Sequence, residues 1–120
     1  MSEQLRHYRS KLEYEIDSWD LKVAREAGEP IALIDARSAQ AFAREHIAGA
    51  INIPHREMSA ETTARIERHC LVVTYCDGIG CNGSTKGALR MVELGFRTRE
   101  LIGGLDWWKR DGHPTQSSKK

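Results

Sequence analysis

The run LVVTY at Leu71–Tyr75 is too short for a buried helix, rich in β-branched and aromatic residues, and stops on a cysteine. The next residues, DGIGCN, are a glycine-containing loop, and from Gly83 the pattern turns helical over 83–94. Ala88, Met91 and Val92 then fall on one side and Lys86, Arg90 and Glu93 on the other. A strand that is apolar on both faces and hands over directly to a helix belongs in a parallel sheet covered by helices. In such a sheet the loop that begins at Cys76 opens at the carboxyl end of its strand, where ligands and reactive groups gather.

The rest of the chain repeats this alternation. IALID (Ile31–Asp35) is a second short apolar strand, and AINI (50–53), closed by Pro54, is a third. A last one is expected over 99–102. Between them lie segments with helix signals. Leu5, Tyr8 and Leu12 form an amphipathic stripe over 3–12 that should lie on the domain. Asp17 can cap a helix that ends at Gly28, Ser38 can cap another through Phe42, and a weak helix is expected over 59–66. Gly103 and Gly104 turn the chain into a final helix with Trp107 and Trp108, expected in or near the core, and the tail 115–120 is expected to be disordered. The implied fold is a three-layer α/β/α sandwich on a mostly parallel sheet of about five strands. It forms one domain over 1–120, with its core at about 16–114 and the N-terminal helix at 1–13.

Composition narrows the function classes. The 18 basic and 17 acidic residues are interspersed and leave a formal charge of +1, which gives no support for nucleic-acid binding. No apolar run approaches a membrane span, and the N-terminus MSEQLRHYRSKLEYE lacks the apolar stretch of an export signal. A cytoplasmic, monomeric protein with no cofactor is the expectation. Three cysteines, an odd count, then fit reduced thiols better than a disulfide framework.

Cys76 is the candidate nucleophile. Gly78, Gly80 and Gly83 would let the loop turn its N–H groups around the sulfur as an anion-holding nest at a helix N-terminus, which favours thiolate over thiol. An inert cysteine ending a core strand is the competing reading. Cys81 could attack a persulfide or sulfenic acid on Cys76 if the two Cα atoms come within roughly 4.4–6.8 Å, or could simply fill the underside of the loop. Cys70 reads as packing. A zinc site from His69, Cys70, Cys76 and Cys81 lacks paired Cys-x2-Cys spacing, so no metal is expected.

Four stretches, in order, resemble the rhodanese family from about residue 16 to residue 114. They are IDAR (34–37), EHIAGAINIP (45–54), TYC (74–76) and GGLDWWKRDGHP (103–114). The resemblance implies a sulfurtransferase or sulfur carrier. It would accept sulfane sulfur from a small donor as a persulfide on Cys76 and pass it to a thiol or protein acceptor. It also implies that the active-site loop is Asp77, Gly78, Ile79, Gly80, Cys81, Asn82, Gly83 and Ser84. Asp35, Arg37 and His46 read as structural, pinning strand ends and turns, and Asn52 as satisfying backbone groups.

The loop departs from the family pattern. It is longer than the common rhodanese loop and has no basic residue, and Asp77 stands beside the nucleophile, so thiosulfate is expected to be a poor donor. Its length is closer to that of the related cell-cycle phosphatases, but Asn82 stands where their phosphate-binding arginine would be, which argues against phosphatase chemistry. Arg56, with His55 beside it, is the candidate for the missing positive charge, and Lys86 is expected to be exposed. A non-catalytic binding module on the same fold and a thiol redox sensor using Cys76 and Cys81 are the alternative functions.

Overall fold

The structure, a computed structural model, describes residues 2–118. The helices are α1 (Glu3–Tyr14), α2 (Ser18–Glu26), α3 (Ala39–Arg44), α4 (Gly83–Glu93) and α5 (Gly104–Arg110). The strands are β1 (Glu15–Ile16), β2 (Ile31–Asp35), β3 (His46–Ile47), β4 (Ile51–Asn52), β5 (Leu71–Tyr75), β6 (Thr98–Leu101) and β7 (Thr115–Gln116). Five strands pair in parallel in the order β1-β6-β5-β2-β4, and β3 and β7 form a small antiparallel pair.

Alternation along the central strands splits the core into two layers. Leu33, Val73 and Tyr75 face one side and pack with Leu21 of α2, Ile47 of β3, and Leu105 and Trp108 of α5. Ala32, Ile34 and Val72 face the other and pack with Met58, Ile66, Phe96 and Met91 of α4. The expected α/β/α sandwich is thus present, with β5 at its centre. The chain leaves β2 toward β4 but leaves β5 toward β6. Those opposite directions open a crevice between the carboxyl ends of β2 and β5.

The helix signals act as capping chemistry dictates. The carboxylate of Asp17 accepts from the N–H of Asp20 at 2.8 Å, and the hydroxyl of Ser38 accepts from the N–H of Ala41 at 3.2 Å. Gly28 follows α2 with φ +80.

Five expectations are corrected. The stripe of α1 does not lie on the domain: Leu5, Tyr8 and Leu12 are all exposed, Leu12 to 80%. Residues 59–66 form turns rather than a helix. There the hydroxyl of Thr62 donates to the Glu57 carbonyl at 2.8 Å, and that of Thr63 donates to the Ser59 carbonyl at 2.7 Å, in competition with helical pairing. On α4 the buried positions are Gly83, Ser84, Gly87 and Met91, whereas Val92 is exposed. Trp107 is 44% exposed while Trp108 is buried. The tail, as far as Ser118, is ordered by pairing of β7 with β3, and Lys119 and Lys120 lie outside the described residues.

Because α1 buries none of its side chains, Leu12→Ser should leave the unfolding free energy within about 0.5 kcal/mol of the parent. Leu21→Ala, in the fully buried layer beneath α2, should cost roughly 2–5 kcal/mol. Urea unfolding of the two variants checks both.

Candidate functional site

The site is built on the carboxyl ends of β2, β4 and β5. Their backbones interlock beyond the sheet: the N–H of Ala36 donates to the Tyr75 carbonyl (3.0 Å), that of Ile53 to Asp35 (3.0 Å) and that of His55 to Ala36 (3.1 Å). Asn52 adds two side-chain amide bonds, to the carbonyls of Asp35 (3.1 Å) and Arg37 (2.9 Å). His46 Nδ1 lies 2.7 Å from the Phe42 carbonyl, with its ring stacked on that of Phe42. Asn52 and His46, read from the sequence as structural, thus both meet backbone carbonyls.

Arg37 is the hub. Its Nε and Nη2 hold the fully buried Asp35 carboxylate at 2.7–3.2 Å, Nη2 also donates to the Glu45 carbonyl at 2.6 Å, and Nη1 reaches Asp77 at 3.0 Å. Burial opposes its charge, but the hydrogen bonds and charge of Asp35, with help from Asp77, outweigh burial and raise its pKa further above the ordinary arginine range. Beneath it the Tyr75 hydroxyl accepts from the Ile47 N–H at 3.0 Å. Burial, then the Asp35 charge, pushes that phenol well above its usual value, so it stays protonated.

This changes the reading of Asp77. Its carboxylate is 70% exposed but is met by a buried guanidinium, so it is not the uncompensated negative charge that the loop sequence suggests.

Cys76 leaves β5 only 4% exposed. Its position is set by α5: the N–H of Leu105 donates to the Cys76 carbonyl at 2.9 Å and that of Asp106 to the Asp77 carbonyl at 2.8 Å. Such an approach needs a glycine at 104. Its φ is +56, and a Cβ there would sit 2.4 Å from the Cys76 carbonyl oxygen. On the opposite side Gly83 opens α4, and a Cβ on it would lie 2.9 Å from Cys76 Sγ and 3.4 Å from Cys81 Sγ. The sulfurs therefore rest against the first turn of α4.

The expected nest takes a different form. Gly78, Gly80 and Gly83 all avoid positive φ, so close approach, rather than left-handed backbone, is what Gly83 supplies. Its N–H points at Cys81 Sγ, 3.4 Å away. Ile79 stands out at the loop tip, 79% exposed, and Gly80 has open space around it. Asn82 is an exposed N-cap without a side-chain bond. Ser84 is buried; its carbonyl accepts from the Thr74 hydroxyl at 2.9 Å, and its own hydroxyl faces Glu100 at 3.4 Å.

Cys76 and Cys81 form a disulfide, with Cα atoms 6.2 Å apart. This corrects the expectation of three reduced thiols: the loop length brings the pair within bonding range, and only Cys70 remains free among the described residues.

A cavity of about 550 Å³ opens in the crevice between β2 and β5, lined by Arg37, Arg44, His55, Arg56, Cys76 and Cys81 among others. Arg56 and His55, singled out from the sequence, line the same cavity as Cys76. Arg44, in the last turn of α3, was not singled out from the sequence. Its spacing from Cys76 along the chain carries no signal, and only the folding of α3 across the crevice brings it there. Burial, followed by the charges of Lys86, Arg56 and Arg90, lowers the pKa of His55, so its imidazole is neutral at pH 7 beside a cationic rim. Lys86 is exposed, as expected.

Comparison with known proteins agrees with this architecture. The rhodanese-like domain family matches residues 19–111. The chain belongs to that family. It is 36% identical over 73 residues to the thiosulfate sulfurtransferase PspE of Escherichia coli, covering 60% of this chain and 68% of that one. It is 33% identical over 90 residues to the HTH-type transcriptional regulator Rv0324 of Mycobacterium tuberculosis. That match covers 75% of this chain and only 39% of the regulator's length. Among solved structures, the BH2092 protein of Bacillus halodurans superposes with a TM-score of 0.90 at 40% identity, over 97% of this chain and 85% of that one. No helix among the described residues is long and apolar enough to cross a membrane.

Two variants test the construction of the site. Arg37→Ala strands the buried Asp35 charge and should cost roughly 3–5 kcal/mol in urea unfolding. Gly104→Ala should cost at least about 1–2 kcal/mol from left-handed backbone alone, with the clash on Cys76 added.

Proposed function

We propose that this domain is a sulfurtransferase or sulfur carrier that loads sulfane sulfur on reduced Cys76 as a persulfide and delivers it to a thiol acceptor. One observation carries the reading: Cys76 Sγ, at the first turn of α4, shares its cavity with Arg44 and Arg56 in a rhodanese-like domain. The amides at a helix N-terminus favour thiolate, and the arginines suit an anionic donor.

With thiosulfate, the Cys76 thiolate attacks the sulfane sulfur, the donor S–S bond breaks, and sulfite leaves with the electron pair. An acceptor thiolate then attacks the terminal sulfur of the persulfide and Cys76 leaves as thiolate. The acceptor is a small thiol or a protein thiol, and the domain acts as a monomer without nucleic acid or membrane. We place the chemistry in the cytoplasm, where a reducing pool opens the Cys76–Cys81 disulfide. A thiol redox sensor is the second reading, favoured by that same disulfide.

The donor site is tested by the initial rate of sulfite release from thiosulfate by the reduced protein. Cys76→Ser should abolish release. Arg56→Ala should slow it by about tenfold, the loss of one charge-assisted hydrogen bond of roughly 1.5 kcal/mol, with stability unchanged. Arg44→Ala should act in the same direction. Asp77→Asn should raise the rate by about two- to fivefold, because it removes an exposed carboxylate worth up to about 1 kcal/mol from the edge of the cavity. Wild-type rates in both arginine variants would remove the cationic cavity from the donor site.

A further inference from the structure

The disulfide places a second sulfur where it can act on the first. Cys81 Sγ is bonded to Cys76 Sγ, the atom that would be the inner sulfur of a persulfide. Both sulfurs rest on Gly83, whose N–H points at Cys81. The two cysteines also line two cavities. One is the arginine-lined cavity of about 550 Å³. The other, of about 200 Å³, lies on the far side of the loop against Ser84, Thr85 and Glu100. Cys76 is buried, whereas Cys81 is half-buried.

We propose that Cys81 is the resolving thiol of the Cys76 persulfide, so that the domain reduces sulfane sulfur to sulfide and ends each cycle as the Cys76–Cys81 disulfide. This rests on the sulfur-loading step proposed above and puts Cys81 in place of the external acceptor thiol. The Cys81 thiolate attacks Cys76 Sγ, the Sγ–Sγ bond forms, and the bond to the terminal sulfur breaks. That sulfur leaves with the electron pair and takes up a proton as hydrosulfide. Sulfane sulfur gains two electrons, and the two cysteines lose them. Because the attack is intramolecular and the loop already holds the pair in bonding reach, it outpaces an external thiol at ordinary concentration.

The cycle closes with an external dithiol. Exposure directs its first thiolate to Cys81 Sγ, which expels Cys76 as thiolate at the N-terminus of α4, its nucleophilic form. The second thiol of the reductant then releases Cys81 and leaves the reductant as its own disulfide.

The experiment is a single turnover: reduced, desalted protein with thiosulfate, without oxygen or free thiol, followed by sulfite, sulfide and intact mass. The parent chain should release one sulfide per sulfite and finish about 2 Da lighter than the reduced chain. Cys81→Ser, and Cys81→Ala as a second variant checked for fold by circular dichroism, should release sulfite and finish about 32 Da heavier, with sulfide at least about tenfold lower. Sulfite without sulfide from the parent, with the added mass retained, overturns the resolving role and leaves the persulfide reading standing. Sulfide release from the Cys81 variants at the parental rate also overturns it. Absence of sulfite and of added mass in every protein overturns both.

Discussion

One guanidinium organises the reactive end of this domain. Arg37 joins the end of β2 through Asp35, the entry to β3 through the Glu45 carbonyl, and the loop after β5 through Asp77, with its Cζ 5.8 Å from the centroid of the Tyr75 ring. A buried ion pair of this kind adds little net stability over an apolar packing, but loss of either partner leaves a charge without solvent. Its contribution is geometric. Arginine can bond to all three segments at once because its donors form a rigid planar fork, which lysine lacks.

Around that hub the position of the sulfur is set by close backbone approach. Gly104 lets the first turn of α5 cap the carbonyls of Cys76 and Asp77, and Gly83 lets the first turn of α4 come against both sulfurs. Cys76 is therefore held between two helix N-termini, one on its carbonyl and one near its Sγ. Positive charge reaches the cavity from outside the loop, from Arg44 on α3 and Arg56 after β4, so a loop without basic residues still faces two arginines, with Glu57 and Asp77 on the same lining. The charge balance of the site is thus a property of three strand ends rather than of one motif.

Much of this was legible in the chain itself. The short apolar runs of β2, β4 and β5, the strand β6 and the caps at Asp17 and Ser38 are local signals, read from side-chain type and spacing, and they appear in the fold within a residue or so of their expected bounds. The same holds for Cys76 as the residue closing β5, and for His55 and Arg56 as residues leaving β4. Two-residue strands such as β1, β3 and β7 escaped notice because pairing creates them, and two residues carry no periodicity. The helix expected over 59–66 failed for a local reason, since the hydroxyls of Thr62 and Thr63 bond to nearby carbonyls and that of Ser59 accepts from the Thr62 N–H.

The sequence alone determined the class of fold and the place of Cys76 at the end of the central strand, because hydrophobic period and strand–loop–helix order depend only on neighbours along the chain. What surrounds Cys76 was decided by tertiary structure. Arg44 arrives from 32 positions upstream of Cys76. Asp77 is neutralised by a residue 40 positions away. The stripe of α1 stays in solvent because no other element covers it, and Cys81 meets Cys76 only through the path of the loop between them. Charge, contact and burial act through space, and only the packed sheet brings those distances into range.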